Sequence, residues 1–253
     1  MSTDAMEQML TRLKLTAIRD QLDNLLDEVS RKELNHREAL AFLCEAEIAR
    51  KDQRRITMGL SIAKFPFVRT LDGVDYEAQP SVDPKQNREL ATCRWVANGD
   101  SLLLLGPPGV GKTHLAVALR REAIHLGYSV LFTPATVLVA ALAQAHLEGK
   151  LDERLLHYSK PKLLIIDELG YLPLESHSAH LFFQLISRRY ERGSVLVTSN
   201  RSVSERGEVF GDAVAATAIL DRLLHHSHIL TIRGDSYRLR EKKRSGLLRP
   251  PAG

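Results

Sequence analysis

Gly106-Pro107-Pro108-Gly109-Val110-Gly111-Lys112-Thr113 combines two invariant-type glycines, a lysine and a hydroxyl in the order G-x-x-x-x-G-K-[ST]. That order suits a phosphate cradle. Glycines let backbone N–H groups curl round phosphates, and the dipole of a following helix favours the anion. Lys112 then reaches the β- and γ-phosphates of a nucleoside triphosphate, and the Thr113 hydroxyl can ligate Mg²⁺. His114 closes the candidate binding stretch and opens a run of helical spacing to Leu126, while Ser101 to Leu105 (SLLLL) suits a buried strand. A strand, a glycine turn and a helix in sequence separate a P-loop from a chance Gly/Pro-rich turn.

Other residues of the right type follow at strand ends, where open parallel sheets collect ligands. Lys162 to Ile166 (KLLII) is a candidate strand, and Asp167-Glu168 comes directly after it. An aspartate there can hold Mg²⁺, and a glutamate can orient or deprotonate an attacking water. A charged pair ending a buried apolar strand is costly without a compensating cation or hydrogen bonds. The alternative for Asp167 is an ordinary helix N-cap. After Ser194 to Thr198 (SVLVT) come Ser199 and Asn200, and Asn200 is the candidate polar sensor of the γ-phosphate or catalytic water. Arg222, in Leu220-Asp221-Arg222-Leu223-Leu224, is the candidate arginine finger toward a neighbouring subunit, its alternative being a surface ion pair. Arg238 is either a second nucleotide sensor or a DNA-facing or solvated tail residue.

The elements that position these groups can be read from periodicity. Between Thr113 and Asp167 there is room for one more strand, Ser129 to Thr133, which points to an additional-strand ATPase rather than a simple kinase or GTPase. Helices are expected over 114–126, 135–146, 151–158, 180–192 and 215–225, with a last strand from His228 to Ile232. Five short apolar strands separated by helices predict a parallel sheet covered on both faces. Upstream, Met6 to Asp27 has the spacing of one amphipathic helix. A second is expected over 35–51, with Asn35 and Glu38 as its N-terminal box, and a third over 52–63. Residues 65–84 have the Pro/Gly texture of a linker, in which Phe67 and Tyr76 either line an adenine pocket or simply pack the linker. Residues 85–96 predict one helix, with Trp95 packed in the core or at an interface. The expected organisation is a helical N-terminal domain (1–64), a linker (65–84) and an ATPase domain (85–253) ending in a short basic tail without a full lid domain.

Composition bounds the rest. With 253 residues, 44% of them apolar, the chain can bury a full core. A net charge of +4 permits a polyanionic partner without demanding one. The two cysteines, Cys44 and Cys93, lack metal or redox spacing. The longest apolar run, Val137 to Ala143, is far below the ~20 residues that span a bilayer. The expectation is therefore a soluble, cytoplasmic protein. His177, His180, His225, His226 and His228 lack the partners of a closed zinc site. Lys51, Arg54, Arg55, Arg188, Arg189 and Arg192 could touch nucleic-acid phosphates, but solvated helix faces are the default.

GPPGVGKT, LLIIDELGYLPL, VLVTSN and ILDRLLHHSHIL occur in that order, and the chain resembles AAA+ ATPases of the helicase-loader branch. Within that branch it is similar to the IstB family of insertion-sequence ATP-binding proteins. Leu10 to Ile18, Gly111 to Leu119, Ile166 to Leu174, Val209 to Asp212 and Ile232 to Arg240 extend the likeness nearly end to end. Arg201 to Arg206 depart from it, lacking the proline-aromatic pair and tryptophan typical after VTSN. The resemblance implies a three-layer AAA+ P-loop domain with Walker A and Walker B motifs, using ATP and Mg²⁺. It also implies ATP-dependent homo-oligomers that bind duplex DNA with little sequence preference and assist a transposase in target selection. A replicative helicase loader is the alternative within the same branch. A small-molecule kinase would need a lid and an acceptor pocket that the sequence does not display.

Overall fold

The structure, a computed structural model, describes residues 3–61, 71–73, 81–171, 174–200, 209–234 and 236–237. The chain divides into two compact units, Met1–Ile62 and Ala63–Gly253. Among the described residues no helix is long and apolar enough to cross a membrane.

The first unit is all helical: α1 Thr3–Arg12, α2 Thr16–Asp20, α3 Leu22–Arg31 and α4 His36–Ser61. The single helix expected over 6–27 is thus three. Lys14 has φ +56°, with Leu15 N–H donating to Leu10 O and Lys14 N–H to Thr11 O. This is a Schellman-type stop made without glycine. It leaves Leu13 exposed, while Ile18, Leu22 and Leu25 are buried as the apolar spacing predicts. In the other direction, the two helices expected over 35–51 and 52–63 are one, α4, since no stop residue separates them. Its start is the anticipated box. Asn35 Oδ1 accepts from Arg37 N (3.0 Å) and Glu38 N (3.1 Å), and Glu38 Oε2 accepts from Asn35 N (2.9 Å). Short α2 has no side-chain cap of its own. Buried Glu47 on α4 supplies it, accepting from Ala17 N (2.7 Å) and Ile18 N (3.2 Å). Burial opposes charge on Glu47, but those two amides and Lys51 outweigh it and hold the carboxyl below its ordinary range.

The second unit is a three-layer α/β/α sandwich. Its strands, β1 Ser101–Leu105, β2 Val130–Pro134, β3 Leu163–Leu169, β4 Ser194–Ser199 and β5 Ser227–Thr231, form one parallel sheet ordered β2-β3-β4-β1-β5. The continuous apolar runs arise because the central strands are buried on both faces. Leu102, Leu104, Leu163, Ile165 and Leu196 face one core with α5 (Pro84–Ala91), α6 (Arg94–Asn98) and α7 (Lys112–His125). Leu164, Ile166, Val195 and Val197 face the other with α8 (Ala135–Leu147), α9 (Leu151–Ser159), α10 (Ser176–Arg189) and α11 (Ala213–His225).

The helix expected over 85–96 breaks at Cys93, which has φ +51°. Asp83 caps α5 through Lys85 N (2.8 Å), with Pro84 in the first turn. Trp95 is buried as expected, its Nε1 donating to Leu90 O (3.0 Å). β3 runs through Leu169 instead of ending at Ile166, which places Asp167 and Glu168 inside the sheet. α10 begins at Ser176, before the apolar periodicity starts. Phe67 and Tyr76 lie outside the described residues.

Candidate nucleotide site

Leaving β1, the chain turns through Gly106 (φ +146°), Gly109 (φ +82°) and Gly111 (φ +101°) into the N-terminus of α7. Close packing explains two of these glycines. A Cβ at Gly106 would lie 2.1 Å from Ile232 O, and one at Gly109 would lie 2.1 Å from Ser236 Oγ. Pro107, Pro108 and Val110 complete the loop, with Val110 anchored in the core. Lys112 Nζ donates to Gly106 O and Pro107 O, each at 2.7 Å. The ammonium thus lies within its own loop, where it can exchange carbonyls for phosphate oxygens. His114 is half-buried in the first turn of α7.

Parallel pairing brings the ends of β1, β3 and β4 together. Thr113 Oγ1 lies 3.1 and 3.2 Å from the two carboxylate oxygens of Asp167. Thr198 Oγ1 donates to Asp167 Oδ1 at 2.5 Å and accepts from Glu168 N at 2.9 Å. Asp167 is buried and satisfied by hydroxyls in a strand, so the helix N-cap alternative is excluded; Glu168 is exposed. The Thr113 hydroxyl and Asp167 carboxylate form an oxygen-only donor pair, which fits Mg²⁺. Asn200 follows β4 at the same end, and its Oδ1 is buried without a hydrogen-bond partner among the described residues. Sequence reading missed Thr198, whose side chain meets Asp167 only through strand pairing. It also missed Ser236 and Tyr237, which return to the loop. Tyr237 N donates to Gly109 O (3.0 Å). The next residue, Arg238, lies outside the described residues, as do Arg201 to Arg206.

Arg222 is not at this end. It lines a cleft with Asn98, Gly99, Asp100 and Ser101, at the start of β1, whereas the P-loop follows its end. Five strand residues at ~3.3 Å each separate those ends by roughly 16 Å. Its Nη1 donates to Ala218 O (3.1 Å), and the guanidinium stacks 4.7 Å from the Phe183 ring centre. The helix that carries it is capped by Asp212, which accepts from Val214 N and Ala215 N (2.9 Å each) and pairs with His180 (3.4 Å). The Ala215 amide, joined by Val214 and His180, holds the Asp212 carboxyl below its usual range against some desolvation.

The remaining basic and histidine candidates are mostly engaged. Arg189 is 1% exposed and donates to the carbonyls of Tyr158, Ser159, Pro161, Lys162 and Ser194, so it is a core brace and not a solvated face residue. Arg188 pairs with Asp152, and Arg54 donates to Thr16 Oγ1 (3.1 Å). Glu191, His225 and His226 place potential ligand atoms within 4.8 Å of one another, all exposed. Tyr190 hydroxyl engages His225 Nδ1 at 2.8 Å and the two imidazoles pack edge to face.

A parallel sheet in the order β2-β3-β4-β1-β5, with a P-loop after β1 and an acidic pair on β3, defines a nucleotide-binding P-loop protein of the AAA+ fold. Two solved structures share that fold. DnaI matches with a TM-score of 0.53 at 25% identity, over 66% of this chain and 89% of its own. AMPPCP-bound DnaA from Aquifex aeolicus matches with a TM-score of 0.53 at 22% identity, over 72% of this chain and just 56% of its own. Residues 8–245 match the family described as IstB-like ATP binding protein, and the chain belongs to that family. The insertion sequence IS21 ATP-binding protein of Pseudomonas aeruginosa is 46% identical over 243 residues, 96% of this chain and 92% of the relative. The IS5376 counterpart of Geobacillus stearothermophilus is 47% identical over 232 residues, 92% of each chain.

Proposed function

We propose that the chain is a DNA-stimulated ATPase that assembles with ATP and assists the transposase of its insertion sequence in choosing target DNA. The observation that carries the hydrolytic part is the hydrogen-bonded set Thr113, Asp167, Thr198 and Glu168 beside the P-loop. In this reading Gly106 to His114 bind the triphosphate, and Thr113 and Asp167 hold Mg²⁺. When bound, the cation supplies charge neutralisation at the β- and γ-phosphates. Lys112 leaves its carbonyls to bind phosphate, and exposed Glu168 takes the proton of the attacking water or orients it. Asn200 offers that water its buried amide oxygen, which has no partner among the described residues. Leaving such an acceptor bare costs about 1–3 kcal/mol, which favours a ligand-bound role.

Arg222 cannot serve its own P-loop from the far end of β1, which supports a role in trans at the site of a second copy. Arg238 follows Tyr237, which lies against Gly109, so we assign it to nucleotide sensing. The helical unit serves assembly or transposase docking, and the cytoplasm is the compartment where target DNA lies. Insertion-sequence relatives at 46% and 47% identity favour a transposition partner. The resemblance of GPPGVGKT, LLIIDELGYLPL and VLVTSN to the helicase-loader branch keeps helicase loading as the second reading.

The test measures phosphate release with and without duplex DNA, together with particle size in ATP. Stimulation by DNA and ATP-dependent growth in size are expected. In Glu168→Gln turnover should fall by about 10²–10⁴-fold while nucleotide binding survives. DNA-indifferent turnover equal in both proteins would remove the hypothesis.

A further inference from the structure

β3 and β4 lose register at one place. Ile166 pairs with Val197 and Leu169 with Ser199, so Asp167 and Glu168 together oppose the single residue Thr198. This is a β-bulge, a device that re-aims side chains. Adjacent residues of a regular strand point to opposite faces of a sheet. An acidic pair on an unbroken strand would therefore be divided between the two helical layers. Glu168 escapes that alternation by adopting φ +61°, a left-handed backbone that a side chain of this kind rarely takes.

Something must hold that conformation, and the Thr198 hydroxyl is placed to do so. The Glu168 amide donates to Thr198 Oγ1 at 2.9 Å. The same hydroxyl spends its one proton on Asp167 Oδ1 at 2.5 Å. Thr198 is fully buried, so water cannot stand in for either bond. One side chain thus fixes the carboxylate of one acid and the backbone of the next. Thr113 reaches the same carboxylate from the P-loop helix, so the hydroxyl on β4 ties the phosphate cradle to the acidic pair.

We propose that Thr198 is a positioning residue for hydrolysis, holding the bulge so that Asp167 and Glu168 serve one site. The inference rests on the ATPase reading above. It predicts that the hydroxyl, rather than the volume, of Thr198 is needed. Thr198→Val keeps a branched strand residue and deletes both bonds, Thr198→Ala also deletes them, and Thr198→Ser retains the hydroxyl.

The experiment measures steady-state ATP hydrolysis over a Mg²⁺ titration, with fluorescent-nucleotide binding in the absence of Mg²⁺ and thermal melting as companions. Relative to the parent chain, Thr198→Val and Thr198→Ala should lower kcat by about 10–100-fold, the range seen when partners of metal ligands are removed. They should raise the Mg²⁺ needed for half-maximal rate and leave KM for ATP and Mg²⁺-free binding within about twofold. Thr198→Ser should recover most of the rate. Thr198→Ala decides the matter if the valine variant does not fold. Parent-like rates and Mg²⁺ requirement in a folded hydroxyl-free variant overturn the inference alone. So does a loss in Thr198→Ser as deep as in Thr198→Val. A parent chain that turns over no ATP with Mg²⁺ and DNA overturns the ATPase reading, and this inference with it.

Discussion

Lys112, beyond the carboxyl end of β1, rests on two carbonyls of its own loop, whereas Arg189, beside the amino end of β4, donates to five carbonyls from two segments. Burial pulls the Arg189 guanidinium down to about 10, so it stays charged at neutral pH. Its setting leaves no room to move. A Cβ on Gly193 would come within 2.7 Å of its Nη2. Lys112 is only half-buried and can trade its carbonyls for stronger charge-assisted bonds to phosphate. A structural cation and an exchangeable one therefore differ in enclosure and in what holds them. The first is sealed, its two terminal nitrogens held by carbonyls of parts of the fold that do not part company. The second is half-buried at the start of α7 and holds only carbonyls of the adjoining loop in its described bonds. Arg222 shares the amino end with Arg189 but not its enclosure, having one carbonyl and an aromatic face as its described contacts.

That contrast can be broken most sharply at Arg222. Arg222→Ala should cut turnover by about 10³-fold or more while ATP still binds, as expected for a finger acting in trans. Mixing it with Lys112→Ala should restore part of the activity, because each variant lacks a different half of a shared site. Additive, uncomplemented losses would place Arg222 with the structural cations instead. Arg189→Met should act in the opposite sense, costing about 3 kcal/mol of stability in denaturant titration by stranding buried carbonyls. Per folded molecule its ATP turnover should be near that of the parent; a selective loss of turnover at parent stability would erase the distinction.

The smallest effect concerns how tightly the amino end is closed. Cys93 precedes α6, whose Trp95 carbonyl accepts from Ser194 Oγ at the start of β4 (3.2 Å). Burial, aided by Glu122, pushes its thiol up to about 12, while Cys44 is exposed. Thiolate is the reactive form, so a maleimide at pH 8 should label one cysteine per native chain and two after unfolding. Rapid labelling of both in native buffer would mean that this end opens.

Much of the P-loop unit is legible because its signals are local. A run such as SLLLL must be buried on both faces, and GPPGVGKT between it and a helix has few other uses. Asn35 and Glu38 announce the start of α4 in the same way. The misplaced breaks have a common physical cause. Lys14 and Cys93 adopt left-handed backbone that glycine usually supplies, so the composition at those helix ends carries no stop signal. Glu47, thirty positions from the Ala17 amide it caps, leaves no trace at α2 itself.

For the site the division is similar. Residue type and spacing alone determined Lys112, Thr113, Asp167, Glu168 and Asn200 as candidates, since phosphate, Mg²⁺ and water each call for a particular donor set next to a strand end. Only the tertiary structure decided that Thr198 joins the acidic pair, that Arg189 is a brace, and that Arg222 lies at the opposite end of the sheet from its own P-loop. Those facts depend on strand order and on one lost register step between β3 and β4, and pairing between segments thirty residues apart leaves no periodic mark in either of them.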